Sequence, residues 1–223
     1  MFRCIRFSME LKLLNIIHQK GFNTLLHYVS DIGWSVRNGL VEINTLGMLI
    51  NISPISITVN DVLNGRVKDS ELILRILHSI ISSLPVAISS DDYVDALRLP
   101  GGLSIKRYEG RIVKFIASEL IDVSVEQVNS IVNSLNGFMV KHPNATWACC
   151  FPVARGIGIQ IAYWQGEDDI PPGSSITYNT GITSYNLSPS DIVLLAELTA
   201  DRLIAMFRMK YGLKPKIYDS LYL

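Results

Sequence analysis

Three consecutive acidic residues, Glu167, Asp168 and Asp169, are the first candidates for chemistry in this sequence. Only Ile170 separates them from a Pro-Pro-Gly turn. Carboxylates grouped in this way could hold a hard cation through oxygen or act as an acid and base pair. Their spacing does not match the calcium-binding EF-hand loop. A solvated turn remains the favoured interpretation, and an acidic site is the alternative.

The segment before this turn alternates glycine with isoleucine from Gly156 to Ile159. A dinucleotide-binding loop would need a further glycine at position 161 and a helix starting there, so the pattern predicts a strand. Its small residues allow close approach of a helix, which is the favoured reason for them, or of a ligand. Arg155 and Gln160 are the polar residues of this strand.

Aromatic residues concentrate in the C-terminal third, where they either fill a sheet core or line an apolar pocket. The core is the favoured interpretation. If this region does form a pocket, the candidate ligand-binding residues are Arg155, Gln160, Trp164, Glu167, Asp168, Asp169, Tyr178 and Asn179.

The three cysteines, Cys4, Cys149 and Cys150, show no metal-binding or redox spacing. Neighbouring side chains of a strand point to opposite faces, so Cys149 and Cys150 are interpreted as structural. An odd cysteine count without a secretory signal predicts a reduced, cytoplasmic protein. No metal site is expected, and the sequence indicates no cofactor.

The overall charge argues against nucleic-acid binding, because 20 basic residues balance 20 acidic ones. Arg107, Arg111 and Lys114 share a helix face, which is interpreted as solvated. The longest weakly charged stretch, 72–90, contains Arg75 and Pro85, so no membrane span is expected. The hydrophobic fraction of 48% indicates a deep core together with an interface to a protein partner or a second copy of the chain.

Local patterns predict an α+β fold in which a small mixed or antiparallel sheet packs with several helices. We expect one domain over 1–223, with a subdomain break near 140 as the alternative. Predicted elements are a helix over 10–29 interrupted at Gly21, a hairpin over 41–52, a strand over 55–59, a helix over 70–83 capped by Asp69, a helix opened by the Ser124 capping box and closed by Gly137, strands over 145–150, 156–164 and 175–178, and a long helix from Ser188 to Gly212.

The C-terminal third resembles the prokaryotic family catalogued as domain of unknown function 3786. The similar residues include the stretch from Ala162 through Trp164-Gln-Gly-Glu-Asp-Asp to Pro171-Pro172, and the Tyr185 turn into Ser188-Pro-Ser-Asp. Members tend to have aspartate at the position of Asn179, and a plainer aliphatic run at 154–158. The family brings no assigned activity or catalytic residues. Some relatives are fused to iron–sulfur modules, which implies an association with anaerobic redox or one-carbon metabolism.

These observations lead to two functional hypotheses. The first is a non-catalytic ligand-binding or interaction protein. The second is a small-molecule enzyme with an acidic site at Glu167, Asp168 and Asp169. The sequence does not decide whether the protein is an enzyme.

Overall fold

The computed structural model describes residues 2–64, 66–88, 92–167, 169–217 and 219–221. Its helices pack with two antiparallel sheets, one of four strands and one of five. The predicted α+β class is therefore confirmed. Within the described residues, no helix combines the length and the apolar character needed to cross a membrane.

The N-terminal helix is interrupted at Gly21, as the sequence predicted. Helix α1 spans Phe2–Lys20 and α2 spans Phe22–Tyr28, and Gly21 between them adopts a φ of 85°. This left-handed region is readily accessible to glycine, so the helix changes direction there.

The four-stranded sheet is a meander in the order β1-β2-β3-β4. Its strands are β1 Ser35–Arg37, β2 Leu40–Thr45, β3 Met48–Ile52 and β4 Ile57–Asp61. The β2–β3 hairpin is confirmed, with Thr45 opposite Met48. Leu46 and Gly47 both have positive φ, at 50° and 73°, which is the requirement of a tight two-residue hairpin turn.

Helix α3 spans Val67–Ser83, and its start corrects one prediction. Asp69 is not the N-cap residue but lies in the first turn, where it is 1% exposed. Its carboxylate accepts hydrogen bonds from Arg66 Nε at 2.6 Å and from Arg202 Nη1 at 2.8 Å. Asp69 therefore does not cap the helix. Its carboxylate pairs with the neighbouring Arg66 and the distant Arg202.

The five-stranded sheet has the order β5-β9-β8-β7-β6. Its strands are β5 Tyr93–Val94, β6 Phe138–Met139, β7 Trp147–Ala154, β8 Ile157–Trp164 and β9 Gly173–Asn179. The strands predicted at 145–150, 156–164 and 175–178 correspond to β7, β8 and β9. The β8 side chains alternate between a face of large apolar residues and a face containing Gly158, Gln160 and Ala162, as the Gly-Ile pattern predicted.

Two α-helices lie between β5 and β6. Helix α4 spans Gly102–Glu119 and α5 spans Val125–Ser134. The Ser124 capping box is confirmed, because Gln127 completes it reciprocally. The sequence predicted that Gly137 closes α5. The left-handed residue after the helix is instead Asn136, with a φ of 60°. At Gly137 a Cβ would lie 2.7 Å from the carbonyl oxygen of Cys150, so its role is close approach to β7.

The long C-terminal helix α6 spans Pro189–Tyr211. Ser188 caps its N-terminus by accepting a hydrogen bond from the Asp191 amide, and Gly212 ends it with a φ of 66°, as the sequence predicted. Arg202 on this helix is 0% exposed and forms ion pairs with Asp61 at 2.5 Å and Asp69 at 2.8 Å. These pairs connect α6 to β4 and α3.

The segment after α6 is held by charged side chains. Buried Glu119 accepts hydrogen bonds from the Lys216 and Ile217 amides, each at 2.9 Å, and from Arg208 at 2.9 Å. Burial alone would raise the pKa of the Glu119 carboxyl. The hydrogen bonds and the Arg208 charge outweigh burial and hold this pKa below its ordinary value of 4.5.

We expect acid to release this segment before the domain unfolds. A carboxyl whose pKa is lower in the folded state stabilises the fold above pH 4.5, its ordinary value, and loses that contribution as pH falls through the lowered pKa. Hydrogen-exchange protection factors for the Lys216 and Ile217 amides should therefore fall steeply below pH 4.5. Glu119→Gln should lower them already at neutral pH, whereas Glu167→Gln should leave them unchanged. Equal protection in the wild type and the Glu119 variant would contradict this expectation.

Candidate functional site

A cleft of about 440 Å³ lies between α4 and α6, and we call it the α4–α6 cleft. Its volume lies within the range of small-molecule sites, roughly 300–1,000 Å³. The lining divides into apolar residues, Pro189, Val193 and Leu194; hydroxyl-bearing residues, Ser104, Tyr108 and Ser190; and charged residues, Arg75 and Glu197. Along α6 the lining extends from Pro189 to Glu197, about 12 Å at the helical rise.

The Leu99-Pro-Gly-Gly turn positions the α4 wall of the cleft. At Gly101, which has a φ of 71°, a Cβ would lie 2.5 Å from the Pro189 ring. At Gly102 a Cβ would lie 2.1 Å from the carbonyl oxygen of Ala96. The missing side chain at Gly101 lets α4 begin directly against α6, and the one at Gly102 lets the backbone of Ala96 and Leu97 pack against the start of α4. Ser104 and Tyr108 then follow one helical turn apart and face the same side.

Both charged side chains of the lining are already paired. Arg75 donates from Nε to Asp191 at 2.9 Å, with Nη2 at 2.8 Å from the same oxygen. Glu197 accepts from Arg111 at 3.1 Å. Burial raises the pKa of the Glu197 carboxyl, although Arg111 and Lys68 oppose the shift. The lining therefore presents no uncompensated charge to a ligand.

Hydroxyl groups are the polar groups that remain available in the α4–α6 cleft. Within the described residues, the hydroxyls of Ser104 and Tyr108 have no protein partner, and Tyr108 is 57% exposed. The Ser190 hydroxyl lies 2.8 Å from that of Ser188. Apolar walls with a few hydroxyls can enclose an apolar body and hydrogen-bond an oxygen-bearing group.

The lining of this cleft includes neither histidine nor cysteine. Its serines therefore have no imidazole base among the lining residues, and a base beside the nucleophile is what hydrolytic serine chemistry requires. In the described part of the chain, no group of three or more His, Cys, Asp or Glu residues could hold a metal ion.

The structure places Arg155 and Trp164 far apart. Arg155 lies in the β7–β8 turn, and Trp164 ends β8, so the length of an eight-residue strand, roughly 25 Å, separates them. Arg155 lines a different cleft, between the two sheets. The Trp164 ring instead packs edge-on against His142, with 5.4 Å between ring centroids.

Gln160 and Tyr178 lie on opposite faces of the five-stranded sheet. Gln160 pairs with Thr177, so the neighbouring Tyr178 points to the other face. Tyr178 is fully buried and donates a hydrogen bond to Glu109 at 3.1 Å. Burial and the adjacent Glu109 raise the pKa of this phenol. Tyr178 thus ties β9 to α4.

Of the acidic residues, the structure describes Glu167 and Asp169, and both are exposed. Asp168 lies outside the described residues. The Ile170 amide donates to the Glu167 carbonyl at 2.7 Å, which closes the turn. Neither Glu167 nor Asp169 lines the α4–α6 cleft.

Asn179 is buried, and its side-chain oxygen accepts from the Gly181 amide at 2.8 Å. It therefore caps the short 3₁₀ helix Thr180–Tyr185. Aspartate performs the same capping role, so asparagine at this position keeps the local structure.

Most aromatic residues of the C-terminal third belong to the core, as the favoured interpretation predicted. Trp147 stacks on Tyr163 with 5.0 Å between ring centroids, and both are nearly fully buried. Cys149 and Cys150 are buried free thiols on adjacent strand positions. Burial raises the pKa of each thiol, and Cys150 Sγ lies 2.8 Å from the Tyr93 hydroxyl. Burial of both thiols agrees with the interpretation of these cysteines as structural residues.

Comparison with known families gives one match. The profile described as "Domain of unknown function (DUF3786)" matches residues 27–202, most of the chain. The chain belongs to this family. All residues that line the α4–α6 cleft lie within the region that matches the family. No curated protein and no solved structure matches the chain.

The α4–α6 cleft lies where two helix starts meet, and its lining was not among the sequence predictions. The Leu99-Pro-Gly-Gly turn and the Ser188-Pro-Ser-Asp cap each mark a helix start, and these two starts meet at Gly101 and Pro189. Arg75 comes from a third helix, 116 positions before its partner Asp191. Only the packing of α3, α4 and α6 brings these residues together.

Proposed function

We propose that this protein is a non-catalytic ligand-binding protein and that the α4–α6 cleft is its binding site. Its ligand is a small, uncharged, mostly apolar molecule that carries a hydroxyl or carbonyl group. The observation that carries this proposal is the lining, in which every charge is paired while the hydroxyls of Ser104 and Tyr108 are not. An ionic ligand would find no free counter-charge among these lining residues, whereas a neutral oxygen would find donors.

The surroundings of the cleft also suit a partner protein. Leu97, Leu103 and Tyr108 are 56%, 82% and 57% exposed and lie at or near the start of α4. We propose that a protein partner or a second copy of the chain covers this region in a prokaryotic cytoplasm. The buried, free Cys149 and Cys150 are compatible with a reducing compartment. An association with anaerobic redox or one-carbon metabolism stays part of the proposal.

A neutral fluorescent probe, N-phenyl-1-naphthylamine, tests the binding site. We expect saturable binding of one probe molecule, reversed by 1-octanol, because the cleft offers apolar walls and hydroxyl donors. Tyr108→Ala should weaken probe binding about tenfold, since it removes an aromatic wall whose burial is worth more than 1 kcal/mol.

Leu103→Ala is the matched control. Leu103 is on the same helix and 82% exposed, but it does not line the cleft, so its replacement should leave probe affinity unchanged. Equal affinity for the wild type and the Tyr108 variant, or no saturable binding to the wild type, would contradict the proposal.

A further inference from the structure

A second cleft lies where the two sheets meet, and we call it the intersheet cleft. It has a volume of about 420 Å³ and is lined by residues of both sheets, among them Trp34, Glu42, Asn44, Pro152 and Arg155. Its lining shares no residue with the α4–α6 cleft. The two cavities can therefore be tested separately.

The backbone of Arg155 is held on both sides. Its amide donates to the Ile32 carbonyl at 2.8 Å, and its carbonyl accepts from the Tyr185 hydroxyl at 2.7 Å. Trp34 next to it is fixed as well, because its indole N–H donates to the Val153 carbonyl at 2.9 Å. A charged residue and an aromatic wall are thus positioned by contacts from separate parts of the chain.

The guanidinium group of Arg155 has no acidic partner among the described residues. Most other arginines of the described residues do have one. Carboxylates lie within 4 Å of Arg37, Arg66, Arg75, Arg111, Arg202 and Arg208. An arginine side chain offers five N–H donors in a planar fork that matches a carboxylate. Arg155 lines a cleft and is exposed, so its guanidinium group is available to a ligand.

The acidic group in the lining, Glu42, already has partners of its own. The Glu42 carboxylate lies 3.8 Å from Arg37 Nη1 and 3.5 Å from Asn44 Nδ2, and its side chain is only 13% exposed. With Glu42 compensated by Arg37, the positive charge of Arg155 remains unbalanced in the cleft.

We propose that the intersheet cleft binds a small organic carboxylate, with Arg155 as its charge partner. Trp34, Pro152, Val153 and Ala154 supply an apolar wall for the body of that molecule. Inorganic oxyanions share the charge chemistry but have no apolar body to place against this wall. The organic acid is therefore the preferred occupant.

Two-dimensional NMR titrations with benzoate, inorganic phosphate and benzyl alcohol test this assignment. Benzoate should bind saturably and shift the Trp34 indole and Gly33 amide signals. Phosphate and benzyl alcohol should each bind at least tenfold more weakly, because each lacks one of the two features recognised. Arg155→Gln should weaken benzoate binding at least tenfold, since a hydrogen-bonded charge pair is lost.

Arg107→Gln is the control, because Arg107 is also exposed and unpaired within the described residues but does not line the intersheet cleft. It should bind benzoate within twofold of the wild type, and unchanged backbone spectra should show that both variants fold. Undiminished benzoate affinity in the Arg155 variant would overturn the proposal. So would phosphate binding as tight as benzoate, or benzoate shifts confined to Ser104, Tyr108 and Leu194. The last result would remove the intersheet assignment and keep the α4–α6 cleft as a binding site, but for an anion and not for the uncharged ligand proposed above.

Discussion

Replacing Arg202 with methionine is expected to lower the free energy of unfolding by about 3–5 kcal/mol. Arg202 is 0% exposed, and Asp69 beside it is 1% exposed. Arg202 also donates to the Leu46 carbonyl at 2.6 Å. Methionine would fill the space but leave Asp61 without its counter-charge, Asp69 with Arg66 alone and the Leu46 carbonyl without this donor. Urea denaturation followed by circular dichroism measures the loss.

Two further variants separate charge from geometry at this position. Arg202→Lys keeps the charge, but its three N–H donors lie on one atom and cannot reproduce the four hydrogen bonds that the guanidinium group makes, so an intermediate loss is expected. Arg107→Met replaces an exposed arginine without an ion pair in the described residues and should change stability by no more than about 0.5 kcal/mol. If Arg202→Met lost less than about 1 kcal/mol, the ion pairs would not have the structural role described.

Gly102→Ala is expected to destabilise the protein by about 3 kcal/mol, the upper range for overpacking. A Cβ at Gly102 would lie 2.1 Å from the Ala96 carbonyl oxygen and 2.8 Å from Leu97 Cα. Both atoms belong to the backbone, so a side-chain rotation cannot relieve the clash. The start of α4 would have to move, and it carries the Ser104 and Tyr108 wall of the α4–α6 cleft. Thermal and urea unfolding measure the effect.

Gly110 on the same helix provides the opposite control. A Cβ there would meet no atom within 4 Å, and alanine favours helix over glycine. Gly110→Ala should therefore stabilise the protein by about 0.5–1 kcal/mol. Equal effects of the two substitutions would mean that the turn before α4 is not closely packed.

Locally encoded features were predictable from the sequence. The Ser188 cap, the Ser124 capping box and the Gly21 interruption depend on residues within one helical turn. Asp69 was misassigned because its carboxylate pairs with Arg66, just before the helix, and with Arg202, which lies 133 positions away. Gly137 was misassigned because its close neighbours are Cys150 and Phe151 on β7. Hydrophobic period and capping rules contain no information about such distant contacts.

The candidate site was less predictable than the fold for the same reason. The sequence patterns of the C-terminal third suggested a ligand-binding site there. Two of its candidate residues, Tyr178 and Asn179, instead form hydrogen bonds that hold the fold together. The α4–α6 cleft instead uses ordinary residues such as Ser104, Val193 and Leu194. Their significance comes from packing between helices and from the pairing of the charges around them. Of the predicted site residues that the structure describes, Arg155 lines one of the clefts described above.

NMR chemical-shift mapping of 1-octanol binding tests the central claim, ligand binding in the α4–α6 cleft, most directly. The account predicts saturable shifts concentrated at Ser104, Tyr108, Ser190, Val193 and Leu194, and their loss in the Tyr108→Ala variant. Shifts that do not saturate, or that saturate at residues outside this cleft, would contradict it.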